Sequence, residues 1–341
     1  MDHPHPLILC VLMLLPAVAA AQGAAPVDSG PALASEADRA LAQPRIVLRA
    51  LPLREALPPG LSAKVRAQDV LVYAAPGVAY PARNIGLQCQ GSNATLADVP
   101  QGLVQVPAAG GAAESRFSET ELAGGRVFRL QVSAGDTLAP GVAPRCELVA
   151  YPMPGSALPQ GETFWFAFSF WADDWAGTRD EQLIAQWHVQ DPRNILLNPF
   201  FAMVVRGAEL RIELRHNERE TPNQASTQLV TAARLAMPVR QWVTAVVQAR
   251  IANQAAQSPF LRLWLNDQLV ADYTGPLGYP LPPGGHAYPK VGIYHWTNGN
   301  AWDLQLPSRT LLVGAMLSVR DNSGRYGAAQ LADAVAHPGA R

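Results

Sequence analysis

The sequence predicts an all-β protein, a two-sheet jelly-roll sandwich of the concanavalin-like kind. Its 30 prolines and 27 glycines favour many short elements joined by turns. Most apolar runs alternate with a period of two and are rich in Val, Ile, Phe and Trp, as strands are. Many such runs in one chain of 341 residues favour two packed sheets. A curved sheet of this kind offers a concave face, or cleft, to a long ligand.

Thirteen segments carry the strand pattern, and turn signals such as "VRGAEL", "LNDQL" and "GPLGYPLPPGGHAYP" separate the later ones. No repeat of fixed period is present. The segments are "RIVLRAL", "VLVYA", "RVFRLQVSA", "RCELVAY", "TFWFAFSFWA", "QLIAQWHVQ", "FFAMVVRG", "ELRIELRHN", "QWVTAVVQARI", "FLRLWLND", "QLVADYT", "KVGIYHW" and "RTLLVGAMLSVRD".

The ends of the chain differ from its middle. Residues 1–21 combine an apolar run with Ala-x-Ala patterns, which predicts a secretory signal peptide and export to the periplasm or the medium. Residues 22–44 are rich in Ala and Pro and are predicted to form a disordered linker. We expect a single jelly-roll domain over 45–330 and a C-terminal tail over 331–341.

Charge and cysteine content limit the function classes. The formal net charge is −1, so the chain has no global basic field of the kind that nucleic-acid binding requires. Two cysteines, Cys89 and Cys146, remain after the predicted signal peptide. In an oxidising compartment they are expected to form one disulfide, and two buried free thiols are the alternative. The disulfide requires Cα atoms within about 7 Å of each other.

Three strand motifs place polar side chains on one face of a sheet, because strand residues two apart point the same way. Each motif alone has an ordinary explanation, such as a surface ion pair, an exposed histidine or a packed tyrosine. The motifs are "RCELV" with Arg145 and Glu147, "QWH" with Gln186 and His188, and "YPKVGIYHW" with Tyr288, Lys290, Gly292, Tyr294 and Trp296.

Together, "RCELV", "QWH" and "YPKVGIY" resemble the Arg-x-Glu-Leu, Gln-x-His and Tyr-Phe-Lys-x-Gly-x-Tyr motifs of jelly-roll polysaccharide lyases. These include the alginate-lyase, heparin-lyase-I-like and glucuronan-lyase types. Tryptophan inside the Gln-x-His motif favours the last two. The resemblance covers roughly residues 125–320. It implies cleavage of a uronic-acid-containing polysaccharide by β-elimination, which leaves 4,5-unsaturated uronate ends.

The resemblance also implies roles for the motif residues. Arg145 and Gln186 would neutralise the sugar carboxylate, so that the C5 proton becomes acidic enough to leave. His188 and Tyr294 would be the base and the acid. If both act from the same side of the sugar, Tyr294 serves as both; if they act from opposite sides, His188 is the base. A nearby cation favours the phenolate of Tyr294, and Lys290 and Arg145 could each supply it; Lys290, on the same strand face, is the expected partner.

Four further residues are predicted to contact substrate, each with an ordinary alternative. Lys290 and Glu147 belong to the motifs. Arg215 could reach a sugar carboxylate or lie on a solvated strand face, and Trp296 could stack on a sugar or pack. Gly292 either leaves room for a sugar ring or marks a bulge.

Other functions stay open at this point. A non-catalytic carbohydrate-binding sandwich would explain the aromatic residues but not the ordered polar motifs. A glycoside hydrolase needs two carboxylates across the cleft, and the Glu-x-Asp-x-x-Glu pattern of such folds is absent from the sequence. No cofactor is expected to be required; calcium is possible but has no assigned ligands. We expect a monomer that binds an acidic polysaccharide and neither nucleic acid nor, after signal cleavage, membrane.

Overall fold

The computed structural model describes residues 57–80, 85–89, 103–106, 116–122, 125–133, 144–150, 157–175, 180–296 and 308–337. The predicted signal peptide, the predicted linker and the first predicted strand, "RIVLRAL", lie outside these ranges.

The described residues form seventeen strands and two α-helices. The strands are Val70–Ala75 (β1), Val78–Tyr80 (β2), Ile85–Cys89 (β3), Leu103–Val106 (β4), Phe117–Leu122 (β5), Gly125–Val132 (β6), Arg145–Ala150 (β7), Thr163–Ala172 (β8), Glu181–Gln190 (β9), Phe201–Arg206 (β10), Glu209–His216 (β11), Gln228–Ala236 (β12), Trp242–Arg250 (β13), Phe260–Leu265 (β14), Gln268–Thr274 (β15), His286–Trp296 (β16) and Arg309–Arg320 (β17). The α-helices are Pro59–Ser62 (α1) and Ala328–Val335 (α2), and single 3₁₀ turns span Ala67–Asp69, Gln224–Ser226 and Ala255–Gln257.

The strands form two sheets, as the sequence predicts. Sheet 1 has the order β15-β14-β13-β8-β17-β1-β2, with β6 also paired to β17 and β5 to β6. Sheet 2 has the order β12-β11-β10-β9-β16-β7-β3-β4. All pairs are antiparallel except β3 with β4. The three motif strands β9, β16 and β7 are therefore direct neighbours in the middle of sheet 2.

The core lies between the inner faces of the two sheets. In β8 every second residue from Phe164 to Phe170 is a phenylalanine, and all four side chains are buried in this core. Two of them contact Trp187 of β9, whose ring centroid lies 5.2 Å from that of Phe164 and 6.0 Å from that of Phe166. Phe201 of β10 contacts the same ring at 4.4 Å. Full burial of each such ring contributes about 2–3 kcal/mol. This aromatic layer supports the motif strands from behind.

Helix α2 covers the outer face of sheet 1. Its Leu331 and Val335 are buried in a second apolar cluster with Trp165 and Ala167, the residues of β8 that point away from the main core. The predicted boundary at residue 330 therefore falls inside a packed helix, and residues 331–335 do not belong to a tail. Within the described ranges, no helix is long and apolar enough to cross a membrane.

Five strands have no counterpart among the predicted ones, namely β2, β3, β4, β5 and β12. The longest of these, β12, is an edge strand, and none of its nine residues is fully buried. With no buried face it has little apolar alternation, which is the signal that sequence reasoning uses.

The structure contains the disulfide between Cys89 and Cys146. The two residues face each other across the β3–β7 pair, with Cα atoms 3.9 Å apart. Both side chains lie in the core. The bond joins β3 to the back of β7, directly beneath the polar motif residues.

Gly292 lies where β16 approaches the backbone of β7 closely. Its φ is +156°, and a Cβ atom at this position would overlap the carbonyl oxygen of Cys146 and the Cα of Glu147. The pairing of β16 with β9 is irregular between Val291 and Tyr294. These observations support the bulge interpretation, because β7 backbone occupies the space beside Gly292.

Gly292→Ala is therefore expected to destabilise the protein by about 2 kcal/mol or more, through overlap with β7 and unfavourable backbone conformation. Gly60→Ala is the matched control. Gly60 lies in α1, and no atom lies within 4 Å of the position that a Cβ would take there, so that substitution should be neutral or slightly stabilising. Thermal and denaturant unfolding measure both. Equal stability of the two variants would contradict the close-approach argument.

Candidate active site

The pairing registers arrange the motif residues in successive rows across sheet 2. Tyr288 of β16 is opposite His188 of β9, and Lys290 is opposite Gln186. On the other side of β16, Gly292 is opposite Glu147 and Tyr294 is opposite Arg145. The three motifs, which are far apart in sequence, thus form one continuous polar patch.

The centre of the patch is a buried polar layer. Glu147, Gln186 and Lys290 are each at most 3% exposed. The Gln186 amide donates a hydrogen bond to one carboxylate oxygen of Glu147. The Lys290 ammonium lies 3.7 Å from the other oxygen and donates a 2.8 Å hydrogen bond to Oε1 of Gln88 on β3. Each polar side chain of the layer therefore lies next to a group of opposite charge or polarity.

Four partly exposed side chains surround this layer. Arg145 and Tyr294 lie on one side of it, and His188 and Tyr288 on the other. The Arg145 guanidinium stacks on the Tyr294 ring at 4.2 Å and lies 3.9 Å from Glu147. The rings of His188 and Tyr288 are 5.9 Å apart.

The cation beside Tyr294 is Arg145 and not Lys290. Lys290 shares a face with Tyr294, but four residues along a strand span about 13 Å. Its ammonium group lies 5.7 Å from the Tyr288 ring and bonds to Gln88. The predicted pairing of Lys290 with Tyr294 is therefore wrong, since a shared face does not imply contact.

His188 is held as a neutral imidazole. Burial lowers its pKa from 6.5 to about 4, and the positive charges of Lys290 and Arg145 act in the same direction. Its Nδ1 lies 2.9 Å from the amide nitrogen and 2.8 Å from the carbonyl oxygen of Val189. The ring orientation is thus fixed by the strand backbone, and the imidazole can accept a proton at neutral pH.

Lys290 has a pKa that makes its charge sensitive to mildly alkaline pH. Burial lowers the pKa from 10.5 to about 8. The Glu147 carboxylate opposes this shift, and the Arg145 charge adds to it. At neutral pH the patch therefore carries Arg145, Lys290 and Glu147, a net charge of about +1.

Arg215 shares the face of the patch, because Glu213 is opposite Ala202 and Ala202 is opposite Gln186, but its guanidinium bonds to other parts of the protein. It is 5% exposed, donates a 3.1 Å hydrogen bond to the carbonyl of Pro199 and forms a 2.7 Å ion pair with Glu213. Its guanidinium thus ties the segment before β10 to β11. The predicted contact of Arg215 with substrate stays a prediction; in this structure the side chain is bonded to Glu213 and to the carbonyl of Pro199.

Two other expectations concern Trp296 and metal ions. Trp296 ends β16 opposite Glu181, but its side chain lies outside the described part of the structure, so its role stays a prediction. No group of three or more His, Cys, Asp or Glu side chains that could hold a metal ion occurs among the described residues. Gln88 and Tyr288 were missed as site residues. Gln88 belongs to no sequence motif, and only the pairing of β3 with β7 brings it to Lys290. Tyr288 lies on the predicted polar face of its motif, but the sequence assigned it no role.

A protein-family model for polysaccharide lyases matches residues 110–306, more than half of the chain. The chain belongs to the polysaccharide lyase family. This lyase is therefore an enzyme that acts on polysaccharides. All three motifs lie inside the matched range. No curated protein sequence matches the chain.

Several solved structures are similar to this lyase. An endo-β-1,4-glucuronan lyase from the fungus Trichoderma reesei is 14% identical over 60% of this chain and 87% of its own, with a TM-score of 0.48. The family 7 alginate lyase AlgAT5 is 14% identical over 70% and 94%, with a TM-score of 0.45. The family 7 alginate lyase A1-II′, in a complex with substrate, is 15% identical over 74% and 99%, with a TM-score of 0.47.

An NMR titration of the His188 ring should give a midpoint near 4. Lys290→Met should raise that midpoint, since it removes a nearby positive charge. Lys64→Met is the control, because Lys64 is the only other lysine in the sequence and pairs with Asp333 of α2. An ordinary midpoint near 6.5 in the unmodified protein, or no response to Lys290→Met, would contradict the description of the patch.

Proposed function

We propose that this lyase cleaves a uronic-acid-containing polysaccharide by β-elimination and leaves a 4,5-unsaturated uronate at the new end. One observation carries the proposal. The cations of Arg145 and Lys290 and the amide of Gln186 gather between a neutral imidazole, His188, and a phenol, Tyr294. This set contains the groups that the reaction needs.

The first requirement is neutralisation of the sugar carboxylate. The proton on C5 is weakly acidic while the neighbouring carboxylate keeps its full charge, and removal of the proton spreads further negative charge over it. The guanidinium of Arg145 and the second N–H of Gln186 can donate hydrogen bonds that strengthen as this charge develops. Their attachment to buried Glu147 supports a fixed geometry.

The second requirement is a base and an acid. The C5 proton passes to the base, the C4–oxygen bond breaks, a C4–C5 double bond forms, and the departing oxygen takes a proton from the acid. His188 is neutral at neutral pH, and in the tautomer whose Nδ1–H donates to the Val189 carbonyl its Nε2 lone pair can accept a proton. It lies on one side of the buried layer, and Tyr294 lies on the other. This placement supports His188 as base and Tyr294 as acid; in an elimination from one side, Tyr294 would serve as both.

The substrates to test first come from the similar structures and from the sequence motifs. They are glucuronan, alginate and heparin-type chains. We further propose that residues 1–21 direct export, that the mature protein is a monomer, and that elimination requires no added metal, since the side chains themselves supply the charge neutralisation. Analytical ultracentrifugation and assays with a chelator test the last two points.

The ultraviolet absorbance of the new double bond measures the reaction. The mature protein should produce it from at least one acidic polysaccharide. Tyr294→Phe should lower kcat by about 10²–10⁴-fold while leaving substrate binding measurable. His188→Ala should do the same if His188 is the base. Near-normal activity of Tyr294→Phe would remove it as the acid, and near-normal activity of His188→Ala would transfer the base role to Tyr294.

The binding of an anionic chain should weaken as the pH rises through about 8, because Lys290 loses its charge there and the net charge of the patch falls from about +1 to zero. KM should rise across this range in the unmodified enzyme. In Lys290→Met the rise at this pH should be absent. A KM that rises equally in both proteins would show that another group is responsible.

A further inference from the structure

The patch has two cations, and a carboxylate of the protein neutralises the charge of one of them. Arg145 and Lys290 supply two positive charges, and Glu147, buried between them, supplies one negative charge. A uronate carboxylate carries one negative charge, which the remaining positive charge can match. A sulfate group on the same sugar adds another negative charge and needs a cation of its own.

The other arginines in the middle of β11 and β12 are engaged by carboxylates. Arg211 contacts Glu181, Glu209 and Glu213, and Arg234 lies 2.8 Å from Glu209. Arg215 is bonded to Glu213 and to the carbonyl of Pro199. The remaining strand arginine on this face, Arg206, lies at the β10–β11 turn, opposite Glu209 and far from the patch. Sulfate groups would have to displace these carboxylates.

Outside the described ranges, the sequence between residues 81 and 307 contains no cluster of basic residues. Between residues 81 and 307, the segments outside the described ranges contain two basic residues, Arg83 and Arg179. They contain four acidic ones, Asp98, Glu114, Asp136 and Asp303. A chain that binds densely sulfated polymers requires a surplus of cations, and this one has a formal net charge of −1.

We infer that this lyase acts on unsulfated polyuronates and that Glu147 sets this preference by cancelling one of the two cations beside the bound uronate. The inference rests on the proposed function. It also gives Glu147 a different role from the predicted one. Glu147 is buried and positions Gln186, Lys290 and Arg145; it is a positioning and charge-setting residue, and its burial leaves it little surface with which to bind sugar.

The test compares two substrates with the same backbone, namely glucuronan and glucuronan that has been partly O-sulfated chemically. Alginate and its sulfated form serve as a second pair. We expect kcat/KM for the unmodified enzyme to be at least about tenfold lower on the sulfated member of a pair, because a second unmatched charge about 5 Å away opposes binding. Equal values on both members would overturn the inference.

Glu147→Gln separates charge from size. A glutamine carbonyl can still accept the Gln186 hydrogen bond, but the net charge of the patch rises from about +1 to about +2. The ratio of kcat/KM on the unsulfated substrate to kcat/KM on the sulfated one should then fall several-fold. Glu121→Gln makes the same charge change at an exposed position of β5, in sheet 1, and should leave the ratio within about twofold. An unchanged ratio in folded Glu147→Gln would assign the rejection to the size of the sulfate and overturn the role of Glu147.

Two further outcomes keep the two proposals distinct. If no unsulfated polyuronate yields the unsaturated product, the proposed function fails, whatever the sulfated chains do. If Glu147→Gln does not fold, as judged by circular dichroism and thermal unfolding, Lys290→Met gives the opposite test. Loss of that cation should raise the ratio of kcat/KM on the unsulfated substrate to kcat/KM on the sulfated one. A lower ratio would overturn the inference.

Discussion

The buried carboxylate of Glu147 is the constraint on which the rest of the site depends. A carboxylate that is 1% exposed must be matched by donors and cations, since an isolated buried charge costs several kcal/mol. Here Gln186 of β9 donates a hydrogen bond, and two cations lie within 4 Å, Arg145 of β7 itself and Lys290 of β16. Lys290 in turn holds Gln88 of β3. One charge thus fixes the relative positions of side chains on four neighbouring strands.

The opposite faces of the same strands make this arrangement rigid. Trp187 separates Gln186 from His188 in sequence and packs in the core against four phenylalanine rings of β8 and β10 and the segment before it. Cys146, between Arg145 and Glu147, is bonded to Cys89 next to Gln88. The polar groups of the patch are therefore held by apolar and covalent contacts directly behind them, which is the support that preorganised sites need.

Sequence reasoning recovered the features that depend on local pattern. Period-two alternation identified β8, β9 and β16 and the faces of their side chains, and the count of cysteines indicated the disulfide. It did not recover contacts between strands. The stacking of Arg145 on Tyr294, the bond from Lys290 to Gln88 and the engagement of Arg215 by Pro199 depend on strand order and register, which are non-local.

The irregular registers of β9 and β16 set the dimensions of the site. Ala202 of β10 is opposite Gln186 of β9, and Val204 is opposite Leu183. Between these two paired rows, β10 advances two residues and β9 advances three. β16 advances four, from Lys290 to Tyr294. The three strands therefore use different numbers of residues to cross the patch. A deletion of one residue in β16 would both shorten the span and turn Tyr294 toward the core. The distance between the two ends of the patch can consequently change only in steps of whole residues, and under the proposed function this distance limits the length of sugar that fits. Proteins with these strand registers would therefore differ in substrate through side-chain replacements and through the flanking loops, and not through the spacing of the strands.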